Sequence, residues 1–151
     1  MVSLILKDIK EHKLEDRTLI TSYDWRILYE LKKQNSNILR GFITLQQGLT
    51  TTGKNIYENS PWMVKNYPME ELFLLPNIIK SLEGHVWSAF YRDVTKQNVE
   101  LAHKHGLATC VWTVNREQDI IRMIEYGVDG IITDYPKKVQ EICKAKNISW
   151  F

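Results

Sequence analysis

The sequence predicts an α/β domain in which helices cover the outside of a parallel sheet. Short apolar runs rich in β-branched residues alternate along the chain with segments whose apolar residues recur at helical spacing. Capping residues, prolines and glycines stand between these segments, and no repeat, low-complexity tract or interdomain linker interrupts them. Strands separated by amphipathic helices pair in parallel, because each helix returns the chain to the same end of the sheet.

The first part of the chain contains two helices, two strands and a long loop. A helix is predicted almost from the first residue, because its apolar residues recur at helical spacing: Val2, Ile5, Leu6 and Ile9. A strand at 17–22, a helix capped by Asp24 and a strand at 39–45 follow. Residues 46–67 show no periodicity and predict one long loop. A loop of this length inside a compact domain is usually functional or mobile.

The alternation resumes in the second half of the chain. Pro76 suits the first position of a short helix, and residues 85–88 are strand-like. Thr95 is placed to cap the next helix, which Gly106 can end.

The last third repeats the pattern twice. A strand is predicted at 108–114, and Asn115 with Gln118 is placed to cap the helix that follows. A strand at 130–133 and a helix opened by Pro136 complete five strand-to-helix units.

Pattern alone leaves two α/β architectures open. A doubly wound sheet usually carries a glycine-rich phosphate loop after its first strand, and this sequence has none. A (β/α)₈ barrel needs about 250 residues and eight strands. The chain has 151 residues and about five predicted strands, which is too few for a complete barrel.

Composition excludes several classes of protein. A hydrophobic content of 44% predicts a packed core, and a formal charge of +2 gives no reason to expect nucleic acid or an anionic membrane as a partner. No apolar run approaches the roughly 18 residues that span a bilayer. Cys110 and Cys143 are expected to be buried thiols. The first residues lack the features of a secretory signal, so we expect a cytoplasmic chain, or a periplasmic one if a signal lies upstream.

Several motifs stand in order along the chain. Residues 21–26 read Thr-Ser-Tyr-Asp-Trp-Arg, and residues 86–95 read Val-Trp-Ser-Ala-Phe-Tyr-Arg-Asp-Val-Thr. Residues 111–115 read Val-Trp-Thr-Val-Asn, and residues 127–136 read Gly-Val-Asp-Gly-Ile-Ile-Thr-Asp-Tyr-Pro. Together these segments resemble the glycerophosphodiester phosphodiesterases, in particular their soluble bacterial members. Tyr23 stands where that family usually has Phe, and Ala89 stands where it usually has Pro.

The resemblance implies an incomplete TIM (β/α)₈ barrel over residues 1–151, in which about five parallel strands correspond to strands four to eight. Four N-terminal motifs of the family have no counterpart here: the His-Arg-Gly strand, the Glu-x-Asp metal ligands, the following His-Asp and the Glu-x-Lys strand. In the family these residues bind a divalent cation, Mg²⁺ or Ca²⁺, and supply an acid/base pair of histidines. We therefore expect neither catalytic residues nor metal ligands within this chain.

The carboxyl ends of the strands are where a barrel of this kind places its site. Trp112 is the first candidate for substrate contact, because the family uses this Trp to line the pocket against the glycerol portion. Tyr23 and Tyr91 also follow predicted strands and are further candidates for substrate binding.

Two other groupings of polar residues are weaker candidates. Ser22 beside Asp24 lacks a histidine partner, and Asp24 is explained as a helix cap. His103 and His105 lie two residues apart on a predicted helix, so they point in different directions and cannot share a metal ion.

Three hypotheses about function follow. In the first, the chain belongs to an enzyme that hydrolyses glycerophosphodiesters to glycerol 3-phosphate and an alcohol, and it contributes the wall of the pocket but is inactive alone. In the second, it is a non-catalytic truncated remnant. Five strands cannot close a barrel and leave two strand edges exposed, so we expect self-association of the isolated chain. A third hypothesis joins the first two: a separately encoded N-terminal half would complement this chain.

Overall fold

The computed structural model describes residues 2–34, 37–47 and 53–149. These residues form a sheet of five parallel strands that lie side by side in the order of the sequence. The α/β class and the parallel sheet are confirmed.

The strands are β1 (Leu19–Ser22), β2 (Leu39–Thr44), β3 (Val86–Phe90), β4 (Ala108–Trp112) and β5 (Gly130–Ile131). The α-helices within the described residues are α1 (Val2–Glu11), α2 (Trp25–Lys33), α3 (Met69–Leu72), α4 (Leu75–Ser81), α5 (Lys96–Lys104), α6 (Glu117–Tyr126) and α7 (Pro136–Ala145).

Two of the predicted caps are present. The Asp24 carboxylate accepts a hydrogen bond from the backbone N–H of Arg26 at the start of α2. The Thr95 hydroxyl accepts one from the N–H of Asn98 at the start of α5. Both side chains satisfy N–H groups that have no partner inside the helix.

The predicted cap at Asn115 is wrong. Arg116 is the N-cap residue of α6, and no side chain caps this helix. The Asn115 amide instead donates to the Asp134 carboxylate and accepts from the hydroxyl of Thr133. The sequence pattern could not reveal these alternative partners, because Thr133 and Asp134 lie 18 and 19 positions downstream.

Several boundaries also differ from the prediction. β1 begins at Leu19 because Glu15–Arg17 form a short 3₁₀ helix. β5 contains only Gly130–Ile131, shorter than the predicted strand. α4 begins at Leu75, with Pro76 at its second position.

The two faces of the sheet differ in what covers them. Phe42, Trp87, Ala89 and Val111 are 1% exposed or less and pack under the helices. The Phe42 ring meets the ring of Trp25 in α2 at a centroid distance of 5.1 Å. The core therefore lies between the sheet and the helical layer, as expected for part of a (β/α)₈ barrel.

The opposite face, which we call the inner face, carries small and apolar residues in register. One row joins Thr21, Gly41, Val86 and Ala108, and the next joins Ile43, Ser88, Cys110 and Gly130. Added methyl groups on the two glycines would approach Thr21 Cγ2 and Cys110 Sγ to 2.7 Å, which shows how closely each row packs. Leu19 and Leu39, at one end of this face, are 44% and 45% exposed.

Within the predicted loop at 46–67, residues 54–67 form turns, bends and irregular backbone, and residues 48–52 lie outside the described part. Within the described ranges, none of the helices has the length and apolar content needed to cross a membrane.

Candidate functional site

Three aromatic side chains meet at the carboxyl ends of the strands. Tyr23 follows β1, Phe90 ends β3 and Trp112 ends β4. The Trp112 ring lies 5.8 Å from the Tyr23 ring, nearly perpendicular to it, and 5.5 Å from the Phe90 ring. We call Tyr23, Phe90 and Trp112 the aromatic cluster. Parallel strands bring these residues together, because all their carboxyl ends lie at one edge of the sheet.

The backbone of neighbouring strands holds the cluster in place. Phe90 and Trp112 are register partners on β3 and β4, so their side chains point to the same face. The indole Nε1 of Trp112 donates a 3.1 Å hydrogen bond to the carbonyl oxygen of Ser88. This bond fixes the orientation of the ring and leaves its apolar surface available.

Tyr23 is the most exposed member of the cluster, at 41%. Partial burial raises the pKa of its phenol above the ordinary value of 10.0, so the hydroxyl remains a neutral donor at physiological pH. The cluster therefore offers a flat apolar wall with one hydroxyl at its rim.

The three predicted substrate-binding residues lie at the same rim of the sheet but make different contacts. Tyr23 and Trp112 are in contact, as their positions at strand ends led us to expect. Tyr91 is 8% exposed, and its ring lies 5.1 Å from the ring of Phe90 while it also lines an outer crevice with residues of α6. Its backbone N–H donates to the carbonyl of Trp112. Phe90 was missed by the sequence reasoning. Two signals could have identified it. Side chains alternate between the two faces along β3, and Phe90 lies two residues after Ser88, so both point to the same face.

The first described residues of the long loop are fixed to the same edge of the sheet. Asp93 is 8% exposed, and its two carboxylate oxygens accept the backbone N–H groups of Gln46 and Gln47 at 2.7 and 2.9 Å. Burial raises the pKa of Asp93 above 3.8, while these two hydrogen bonds act in the opposite direction. Asp93 thus ties the loop after β2 to the loop after β3.

Asn55 fastens a later part of the same loop. Its amide nitrogen donates to the carbonyl oxygens of Ile43 and Tyr23 at 2.8 and 3.1 Å, and its carbonyl oxygen accepts the N–H of Leu45. The side chain is 3% exposed and joins the end of β1 to the end of β2. The loop therefore borders the aromatic cluster on the Tyr23 side.

Asn115 and Asp134 join the loops that follow β4 and β5. The Asn115 amide nitrogen lies 2.6 Å from the Asp134 carboxylate, and its carbonyl oxygen accepts the Asp134 backbone N–H at 3.0 Å. These bonds hold the loop after Trp112 against its neighbour. The carboxyl-terminal rim is therefore connected from β1 to β5.

The histidines serve other contacts. His103 Nε2 lies 2.9 Å from the Asp129 carboxylate, and His105 Nε2 lies 2.7 Å from Asn77 Oδ1. His85 Nδ1 accepts the backbone N–H of Arg40 at 3.2 Å. His85 and Asp129 precede β3 and β5, so they lie at the end of the sheet opposite the aromatic cluster.

The divalent cation implied by the sequence resemblance has no ligand set in this part of the protein. Over residues 2–34, 37–47 and 53–149, no three His, Cys, Asp or Glu side chains are placed to hold a metal ion. The described residues do not fit such a cofactor, and we derive no chemical step through it.

Comparisons with known proteins agree on one family. The model of the Glycerophosphoryl diester phosphodiesterase family matches residues 1–138. A glycerophosphodiester phosphodiesterase from Caldanaerobacter subterraneus subsp. tengcongensis is 31% identical over 133 residues, which are 88% of this chain and 45% of that protein.

Solved structures give the same result. A protein from Silicibacter pomeroyi DSS-3 assigned to the glycerophosphoryl diester phosphodiesterases is 33% identical, with a TM-score of 0.77 over all of this chain and 46% of its own. A glycerophosphodiester phosphodiesterase from Parabacteroides distasonis ATCC 8503 shares the fold at 20% identity, with a TM-score of 0.72 over 97% of this chain and 51% of its own.

The chain spans about half the length of these relatives. Its five parallel strands and outer helices correspond to part of their (β/α)₈ barrel. With a family match that covers most of the sequence, the chain belongs to the glycerophosphoryl diester phosphodiesterase family.

Proposed function

We propose that this chain is part of an enzyme that hydrolyses glycerophosphodiesters to glycerol 3-phosphate and an alcohol. The observation that carries the proposal is the aromatic cluster, because it lies where the barrel enzymes place their sites and consists of residues within the family motifs. The names of the relatives support the same reaction class.

The cluster would bind the glycerol portion of the substrate. The indole face of Trp112 and the ring of Phe90 can cover the carbon chain of glycerol, and the Tyr23 hydroxyl can donate to a hydroxyl or ester oxygen. Asp93 and Asn55 position the bordering loop. Hydrolysis also requires groups that polarise the phosphoryl oxygens and exchange protons, and in the family these are a metal ion and histidines.

We further propose that the chain is inactive by itself and that a polypeptide carrying the other β/α units would complete the site. The sequence lacks the four N-terminal motifs of the family. β1 and β5 form the two edges of the sheet in the described residues, where additional strands can pair.

Hydrolysis of glycerophosphocholine tests both proposals. We expect no release of glycerol 3-phosphate by the chain alone with either Mg²⁺ or Ca²⁺. Mixing it with a polypeptide that supplies the first three β/α units of a family member should restore metal-dependent release. Activity of the chain alone would contradict its proposed inactivity, and a stable complex without activity would contradict the proposed role in catalysis.

Trp112→Ala tests the role of the cluster in the reconstituted enzyme. We expect KM to rise on the order of 10-fold, because an apolar contact of about 1–3 kcal/mol is lost. Trp112→Phe should retain much of the binding. An exposed aromatic on the outer helix α2, Tyr29→Ala, serves as the control. Unchanged kinetics for Trp112→Ala would contradict the proposed role of the aromatic cluster in substrate binding.

A further inference from the structure

A second group of side chains lies on the outer side of the same rim. A crevice of about 410 Å³ separates the loop after β3 from α6, and its lining includes Tyr91, Arg92, Arg116, Asp119 and Arg122. Three guanidinium groups and one carboxylate give these residues a net charge of +2. The formal charge of the entire chain is also +2, so positive charge is concentrated here.

Most of this charge is not neutralised within the described residues. Asp119 Oδ1 lies 2.8 Å from Arg122 Nη2, and this pair accounts for one arginine. Over the part of the chain that the structure describes, neither Arg92 nor Arg116 is within ion-pair distance of a carboxylate. Like charges that share a crevice repel each other, and an anion between them relieves that repulsion.

Arg92 is held by its neighbour in a position to bind. Its Nε donates to the Tyr91 hydroxyl at 3.0 Å, and its guanidinium carbon lies 5.5 Å from the centre of the Tyr91 ring. Tyr91 itself is only 8% exposed, so it provides a fixed support. A guanidinium oriented in this way can present its Nη groups as a fork to two oxygens of one anion.

The start of α6 adds to the positive potential. Arg116 is the N-cap residue of this ten-residue helix, and no side chain accepts from its first N–H groups. Unpartnered N–H groups and the helix dipole favour a negative charge at this end. The helix start alone would not define a site, but here it coincides with the three arginines.

We propose that this crevice, defined by Arg92, Arg116 and Arg122, binds a phosphate group. A tetrahedral phosphate dianion has enough acceptor oxygens to bind several guanidinium groups at once. A single carboxylate, with two oxygens, has too few. The crevice has a different lining from the aromatic cluster but adjoins it, because its Tyr91 ring lies 5.1 Å from the ring of Phe90, which in turn contacts Trp112. The binding does not depend on the proposed hydrolysis. The same chemistry fits free phosphate, a phosphomonoester or the head group of an anionic phospholipid.

Two arms of one experiment test the site and distinguish its sources of phosphate. In the first arm, inorganic phosphate and glycerol 3-phosphate are titrated at low ionic strength, and backbone amide NMR shifts are followed. In the second, sedimentation is measured with vesicles of phosphatidylcholine alone and with added phosphatidic acid. Free phosphate as the ligand predicts shifts at Arg92 and Arg116 in the first arm. A lipid head group predicts sedimentation only with the acidic vesicles.

Variants decide whether binding occurs at the proposed crevice. The double variant Arg92→Gln/Arg116→Gln should weaken binding at least about 10-fold, since a charge-assisted hydrogen bond to the anion is lost at each position. Arg116→Lys keeps the positive charge but cannot donate two parallel hydrogen bonds. Its affinity for phosphate should lie between those of the wild type and the double variant. Arg17→Gln removes an exposed charge on the 3₁₀ helix and is the matched control. The proposal is overturned by absence of binding in both arms, or by equal weakening in the double variant and in Arg17→Gln.

Discussion

Trp112 shows how the position of one residue in a strand decides its role. It ends β4 on the inner face, donates to the Ser88 carbonyl and contacts Tyr23 and Phe90. Tyr91 is similar in chemistry but is the first residue after β3, and it lines the outer crevice beside α6 while its ring contacts Phe90 at 5.1 Å. The end of the strand therefore divides residues of the inner face from residues that also reach the outer crevice.

His85 is a residue whose protonation should affect stability. Its Nδ1 accepts the Arg40 N–H, which requires an unprotonated nitrogen. Burial, followed by the charge of Arg40, lowers its pKa below 6.5 in the folded chain. Between that lowered pKa and 6.5 the unfolded chain binds more protons, so stability is full above pH 6.5 and is lost as the pH falls below it.

We therefore predict that the wild-type chain loses stability relative to His85→Gln when the pH is lowered from 7.5 to 5.5. Glutamine keeps a hydrogen-bond acceptor that does not titrate over this range. Urea unfolding at several pH values measures the difference, and His12→Gln, at an exposed position, is the control. Parallel stability curves for the wild type and His85→Gln would contradict this account.

At the scale of elements, helix starts and loop anchors decide how the rim is built. α5 begins at a true side-chain cap, whereas α6 begins without one because Asn115 bonds to the neighbouring loop. Asp93 anchors the loop after β2 from the loop after β3.

Removal of the α5 cap should cost global stability. We predict that Thr95→Ala lowers the free energy of unfolding by about 1 kcal/mol, because the Asn98 N–H loses its acceptor. Thr95→Ser keeps a hydroxyl and should recover most of the loss. Denaturant unfolding of the three proteins at one pH measures this order, and equal stability of the Ala and Ser variants would contradict it.

Removal of the loop anchor should act locally. Asp93→Ala leaves the N–H groups of Gln46 and Gln47 without their acceptor, so we expect their amide exchange to accelerate roughly 10-fold or more. Exchange within β3 should change much less. Hydrogen-exchange NMR measures both, with Glu58→Ala at an exposed loop position as the control. Uniform acceleration over the whole chain would indicate global rather than local loosening.

At the scale of the whole molecule, the inner face and the two sheet edges determine how the chain meets other chains. Leu19 and Leu39 are nearly half exposed on the inner face, and Ile132, just after β5, is 52% exposed. β1 and β5 each have one unpaired edge within the described sheet. Exposed edges beside apolar surface favour pairing with another chain.

We predict that the chain self-associates when no completing polypeptide is present. Leu19→Lys/Leu39→Lys places charges on the inner face and should increase the monomer fraction in sedimentation or light scattering. Leu4→Lys alters a more exposed leucine on α1 and should have little effect. A wild-type chain that remains monomeric with a cooperative melt would contradict the prediction.

Much of the architecture could be predicted from local pattern. The caps at Asp24 and Thr95, the alternation of strands and helices and the motifs around Trp112 are all read from neighbouring residues. The Asn115 cap failed because the competing partner, Asp134, is distant in sequence. Phe90 escaped notice for a related reason, since its place in the cluster depends on the register between β3 and β4.

The sequence by itself determined the α/β class, the family and two of the three members of the aromatic cluster, because short-range periodicity and ordered motifs carry that information. Only the tertiary structure decided which side chains meet. The contact of Tyr23 with Trp112, the anchoring of Gln46 by Asp93 and the grouping of three arginines all join residues from different β/α units. Such contacts depend on strand register and on the direction of each side chain, which no single segment specifies.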